Sequence, residues 1–173
     1  MENAKYCKES LAVKTSLVLP PDTNSFGTMF GGKLMAYIDD IAAISAMRHS
    51  RSLVVTASSD SVDFISPIKE GNSVCLEAFV ISTGRTSMEV FVKIVAEDMV
   101  KGERKICAIS FLTFVALDEN GQPTEVPKVI PQSDEEIHLH ETAKERLTVR
   151  KNRRKAGEEQ VKKIGTTFPW KRK

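Results

Sequence analysis

Between Pro21 and Ala43 the chain reads PDTNSFGTMFGGKLMAYIDDIAA, and this stretch holds the residue types from which an acid–base or nucleophilic site is built. Asp39 and Asp40 stand side by side in an apolar run, where a carboxylate is costly to keep unless it has a partner or a task. An ionised carboxylate can take a proton from water or attack an electrophilic carbon itself. Adjacent helical residues point about 100° apart, so only one of the pair faces a given pocket. Upstream, Asn24 brings an amide that both donates and accepts, which ionised Asp22 cannot do. It also sits in a turn of Asp22, Thr23, Asn24 and Ser25, where asparagine is a common turn former. Gly31 and Gly32 stand where a helix would begin, and there the free backbone N–H groups attract negative charge.

The surrounding pattern says what positions these groups. From about Phe30 the run Leu34, Met35, Tyr37, Ile38, Ile41, Ala42, Ile44, Ala46 and Met47 covers most of a helix circumference, which predicts a helix surrounded by protein. Four long segments come next in the chain, Leu53 to Ile65, Ser73 to Thr83, Thr86 to Glu97 and Lys105 to Leu117. They are rich in Val, Ile, Phe and Thr and partly alternate, as strands do. The tight Gly84-Arg85 break between two of them predicts a hairpin. Leu11 to Val18 reads as a first strand, stopped by Pro20-Pro21. The expected order is strand, long helix, then four antiparallel strands.

With these residues in view, the segment DTNSFGTMFGGKLMAYIDD, followed by four strands with GRTS at the central hairpin, resembles the hotdog-fold acyl-CoA thioesterases. Within them it is most similar to bacterial acyl-CoA hydrolases of the YciA/YkhA type. The resemblance covers roughly residues 9–130 and implies an α+β hotdog fold, a curved antiparallel sheet wrapped around a long central helix. It implies hydrolysis of acyl-CoA to free acid and CoA. The motif register, counted from Phe30, selects Asp39 over Asp40 as the base or nucleophile, beside Met35, Ala43 and Met47 on the helical wheel, an apolar setting that would strengthen it as a base. The resemblance gives Asn24 a role with the aspartate of the partner subunit. The Gly31 and Gly32 amides become the oxyanion hole, where one lost donor commonly costs about 10²- to 10³-fold in rate. Gly84, Arg85, Thr86 and Ser87 match the stretch that holds the pantetheine and diphosphate of CoA. No metal or redox cofactor is required, coenzyme A entering only as part of substrate and product. The family's minimal active unit is a homodimer with sites at its interface, commonly assembled as a trimer of dimers.

Composition suits this reading. The 173 residues are 41% hydrophobic and 28% charged, the balance of one globular domain, and the net charge of +2 gives nucleic-acid binding no support. No apolar run approaches a membrane span, and MENAKYCKES has no signal-peptide core, so a cytoplasmic protein without membrane contact is expected. Cys7, Cys75 and Cys107 form no CxxC pair and are read as reduced, packing thiols. No GxSxG elbow, P-loop or metal-ligand spacing is present. His49 is expected to close the central helix near Arg48, where a cation suits the helix end. At the carboxyl end, residues 131–155 read as an additional helix, with Ser133 as N-cap and Glu136 as its capping-box partner. Its basic end, Arg150 to Lys155, reads as a solvated face, with CoA phosphate as the functional alternative. Residues 156–173 read as a mobile basic tail in which Phe168 and Trp170 dock locally. Two other classes compete with a thioesterase. A hotdog dehydratase would want a histidine where this motif has Asn24. A non-catalytic acyl-CoA sensor would want a DNA-binding helix-turn-helix, for which the short segment before the first strand leaves no room.

Overall fold

The alternating segments pair as their patterns require. The computed structural model describes residues 3–167 and has the elements β1 (Ala4–Tyr6), β2 (Ala12–Leu17), α1 (Gly31–Ser50), β3 (Leu53–Phe64), β4 (Ser73–Thr83), β5 (Ser87–Asp98), β6 (Glu103–Leu117), β7 (Lys128–Ile130), α2 (Asp134–Glu141) and α3 (Ala143–Val161). Five strands form one antiparallel sheet in the order β2-β4-β5-β6-β3. Helix α1 buries Leu34, Ile38, Ile41, Ala42 and Ala46 in one core with Leu76, Val90, Ile94, Leu112 and Phe114 of the sheet. Each fully buried large apolar side chain contributes about 1.5–3 kcal/mol relative to exposure, so this face of α1 anchors the helix to the sheet. Short strands β1 and β7 pair in parallel as a separate ribbon. The sequence pattern does not announce either one, because three residues are too few to show alternation.

The two ends of α1 are closed in different ways. At its start Phe30 is extended and gives no side-chain cap, while its carbonyl accepts the N–H groups of Lys33 and Leu34. At its end Arg51 takes the left-handed conformation, φ 57°, and its N–H bonds the Met47 carbonyl at 2.8 Å. Glycine or asparagine normally fills that position, and for other residues the left-handed region costs about 1–2 kcal/mol. His49 departs from the expected cation. It is fully buried, its Nε2–H donates to the Pro127 carbonyl at 2.8 Å, and burial pushes its pKa below the ordinary value. The positive charge at the helix end comes instead from Lys5 Nζ, which donates to the His49 carbonyl at 2.6 Å.

Two further expectations are corrected. The central helix is not enclosed all round: Met35, Asp39, Ile44 and Met47 are exposed on a face that the sheet of the same chain does not cover. Edge strand β3 is likewise open, with Leu53 and Val55 exposed and irregular register at Thr56/Ser58 and Ser59/Ser61. The carboxyl-terminal helix is two helices, and the second runs past the expected end at Lys155 to Val161. Ion pairs between Arg154 and Glu158 and between Lys162 and Glu159 link side chains one turn apart and support this extension. The chain divides into units Met1–His140 and Glu141–Lys173, the second being α3 among the described residues. Ser133 and Glu136 do form the reciprocal capping box at α2. Phe168 and Trp170, expected to dock locally, lie outside the described residues.

Candidate active site

The two adjacent aspartates part company at once. Asp39 points toward β3, where Thr56 Oγ1 donates to its Oδ1 at 2.9 Å. Asp40 points the other way, 3.7 Å from Lys14 Nζ on β2, in an exposed ion pair of little energetic weight. Asp39 therefore has a hydrogen-bonded orientation and Asp40 a solvated one. The apolar enclosure expected around Asp39 is absent within the single chain, because its neighbours Met35 and Met47 lie on the open face.

Asn24 organises its own turn. Its Oδ1 accepts the N–H of Phe26 at 2.9 Å, its backbone N–H donates to the Thr28 carbonyl at 2.8 Å, and its Nδ2 lies 3.0 Å from Thr28 Oγ1. The turn reading is thus true of Asn24, and it leaves amide hydrogen-bonding capacity to spare. Gly27, with φ 69°, provides the left-handed residue that closes the turn. Asn24 and Gly31 share one open cleft of about 420 Å³, walled by Leu34, Phe64, Ile65 and Ile68. The Phe64 ring lies 3.6 Å from where a Gly31 Cβ would be, and a Gly32 Cβ would meet the Phe30 ring at 2.6 Å, so both glycines admit aromatic side chains close to the helix start. The lining of this cleft does not include Asp39, which lies eight residues, about 12 Å, further along the helix axis than Gly31. One chain brings Asp39 to Thr56 and Asn24 to Gly31, but does not bring these two pairs together.

The hairpin residues stand at the Asp39 end of the sheet. Register places Thr56, Phe114, Met88 and Thr83 in one transverse row, and Gly84, Arg85 and Thr86 follow directly from Thr83. At about 4.8 Å per strand, the turn after β4 is some 15 Å across the sheet from Thr56. The Gly84 N–H closes the turn on the Ser87 carbonyl at 2.8 Å, and the Thr86 carbonyl accepts the Ala116 N–H at 3.0 Å. Arg85 is exposed, with Nη1 3.9 Å from Glu125 Oε1, a contact too open to hold it. Among the described residues no three His, Cys, Asp or Glu side chains group as a metal site, and Cys7, Cys75 and Cys107 are free thiols.

The thioesterase superfamily model matches residues 26–103. The chain is 57% identical over 166 residues to the acyl-CoA thioester hydrolase YkhA of Bacillus subtilis, covering 96% of each. It belongs to the acyl-CoA hydrolases of the thioesterase superfamily. Solved members of that family superpose on the chain. An acyl-CoA hydrolase of Staphylococcus aureus, solved with butyryl coenzyme A, coenzyme A and coenzyme A disulfide, matches with a TM-score of 0.89 at 46% identity, over 92% of this chain and 97% of that one. The same Staphylococcus hydrolase has been solved with an aspartate, a threonine or an asparagine replaced by alanine. An apo-hexameric acyl-CoA thioesterase matches with a TM-score of 0.85 at 53% identity, over 87% and 97%. The hotdog arrangement expected from the sequence is the one observed. Thr56 was not foreseen in this site. A threonine in LVVTASSDS looks like any other strand residue, and only the packing of α1 on β3 turns its hydroxyl toward a carboxylate.

Proposed function

We propose that this acyl-CoA hydrolase family member hydrolyses acyl-CoA to a free carboxylic acid and CoA, with Asp39 held by Thr56 in one protomer and Asn24 supplied by a second. The Asp39–Thr56 hydrogen bond carries the reading. In the Staphylococcus hydrolase the altered asparagine, aspartate and threonine stand 15 and 17 residues apart along the chain, the intervals that separate Asn24, Asp39 and Thr56 here. In the base route, Asp39 takes a proton from water as the oxygen attacks the thioester carbonyl carbon. The carbonyl oxygen becomes negative against the Gly31 and Gly32 N–H groups, whose donors at an uncapped helix start suit that charge. Collapse of the tetrahedral species breaks the C–S bond, and the CoA thiolate takes the proton held by Asp39. In the nucleophile route Asp39 attacks directly, and water then hydrolyses the acyl anhydride. Arg85, Thr86 and Ser87 meet the pantetheine and diphosphate.

A second copy answers the geometry of the single chain. It covers the open face of α1, pairs with the open edge of β3, and brings Asn24 and the glycine amides to Asp39. A trimer of such dimers agrees with the hexameric relative. Free-thiol release from acyl-CoAs of two to sixteen carbons tests the proposal. Asp39→Asn should lose at least about 10²-fold in kcat with its oligomer intact, the usual contribution of a positioned base. Turnover unchanged in that variant would move the role away from Asp39.

A further inference from the structure

We infer that Arg51 binds a phosphate of the nucleotide end of CoA, a contact beyond the GRTS hairpin and one that rests on the proposed acyl-CoA hydrolase activity. Arg51 occupies the only left-handed non-glycine position among the described residues, at a helix end where glycine would be more stable. Such a residue is retained against its own backbone preference when its side chain has a use. Among the described residues its guanidinium has no hydrogen-bond acceptor or ion-pair partner. A charge of like sign near it is Lys5, whose ammonium is held below its ordinary pKa first by burial and then by repulsion from Arg51, with the Glu9 carboxylate opposing both. An exposed guanidinium with no such partner, near a second cation already bonded to the His49 carbonyl, suits an anionic ligand.

The position also fits the course of the substrate. Arg51 lines an open cleft of about 570 Å³ with Ser52, Leu53, Leu117, Asn120 and Thr124. Ser52 lies four residues before Thr56, about 13 Å back along the strand, a reach of the order of the pantetheine arm. The far side of the cleft adjoins the hairpin: Thr124 bonds the Ala116 carbonyl, Ala116 bonds Thr86, and Val126 bonds the Arg85 carbonyl. Arg51 and Arg85 thus flank the segment from Leu117 to Val126. A thioester at Asp39 would extend its nucleotide over that segment with a guanidinium on either side. Two carboxylates also line the cleft. Asp118 is occupied, its Oδ1 accepting the N–H groups of Asn120 and Gln122 at 2.8 Å each, and exposed Glu119 stands at the rim where it can accept from ribose or base donors. A guanidinium suits this task because its fork of donors matches phosphate oxygens.

The test uses the full-length oligomer and compares Arg51→Gly and Arg51→Asn with wild type on the same acyl group carried by CoA, by 3′-dephospho-CoA and by pantetheine, which has no phosphate. Both variants accept positive φ, so the fold is kept, and Arg51→Gly should melt about 2–4 °C higher as strain is relieved. The expected result is a KM for acyl-CoA raised about tenfold or more at unchanged kcat, with acyl-pantetheine unaffected. Loss of the effect on dephospho-CoA assigns Arg51 to the 3′-phosphate, and retention assigns it to the diphosphate. An unchanged KM for acyl-CoA, or an equal change on acyl-pantetheine, overturns the inference while leaving the hydrolase reading intact. A wild type inactive on every acyl-CoA overturns that reading itself.

Discussion

Thr56 holds Asp39 and leaves Asp40 to solvent. The 2.9 Å bond from Thr56 gives the Asp39 carboxylate a defined orientation, although in this exposed setting it adds little net stability, whereas the Lys14 contact of Asp40 is longer, at 3.7 Å, and solvated. Thr56→Val keeps the shape and removes the donor. It should lower kcat by about tenfold or more, and Thr56→Ser should restore most of the loss. Because Thr56 is exposed, the melting curve should shift by no more than about 0.5 kcal/mol equivalent, and a large loss of stability with kcat per folded enzyme unchanged would reduce Thr56 to a packing role. At this scale Asn24 is first a turn residue, with a second task only under the proposed chemistry. Its Oδ1 holds the turn and the residue lines the cleft, so Asn24→Asp preserves the acceptor but would place a negative charge beside the proposed oxyanion.

Among the elements, the β1–β7 ribbon is fastened to the end of α1 by two bonds through one residue. Lys5 of β1 donates to the His49 carbonyl, and the His49 ring donates to Pro127, just before β7. Among the described residues the second ring nitrogen, Nδ1, is buried without a partner, so a proton added there finds no acceptor. Burial holds His49 below its ordinary 6.5 in the folded chain; the bond to Pro127 and Glu9 oppose this, and Lys5 reinforces it. The unfolded state therefore binds more protons as the medium is acidified. The contribution of His49 to stability is fully present above about pH 6.5 and is lost as pH falls below that value. Thermal melts between about pH 5 and 7 should show this decline, and His49→Gln, which can still donate to Pro127, should flatten it. An identical slope in the variant would assign the pH response to other groups. Ser133 and Glu136 cap α2 by a different logic, one local in sequence and therefore visible in it.

For the whole molecule, the decisive feature is that one chain keeps the candidate residues in two separate groups. Asp39 with Thr56 lies beside the open edge of β3, and Asn24 with Gly31 lines a separate cleft at the other end of α1. If protomers exchange these sets, a mixture of inactive Asp39→Asn and inactive Asn24→Ala chains regains function, because a mixed dimer has one site with both residues intact. Co-refolding equal amounts should return about a quarter of wild-type turnover, from half the dimers each with one working site. No recovery in demonstrated mixed dimers would place a complete site within one chain. A single-turnover reaction in H₂¹⁸O separates the two chemical routes, since label enters the Asp39 carboxylate only if an anhydride forms there.

Much of this was written in local pattern. Alternation marked the long strands to within two residues, the Ser133-Glu136 spacing announced a helix start, and PDTNSFGTMFGG with the paired aspartates carried the family and its candidate residues, because each signal depends only on neighbours in sequence. Tertiary structure decided the rest. The wheel of α1 reads as apolar all round, yet only the sheet order β2-β4-β5-β6-β3 shows which face that sheet buries and which stays open. Thr56 became a partner of Asp39 and His49 a buried donor to Pro127 in place of a helix-end cation, through contacts among segments that sequence keeps apart, and Arg51 took a left-handed backbone at the close of α1. Periodicity tells a residue which side of its own element it occupies; what stands opposite is set by register and packing, and chemistry begins where two such sides meet.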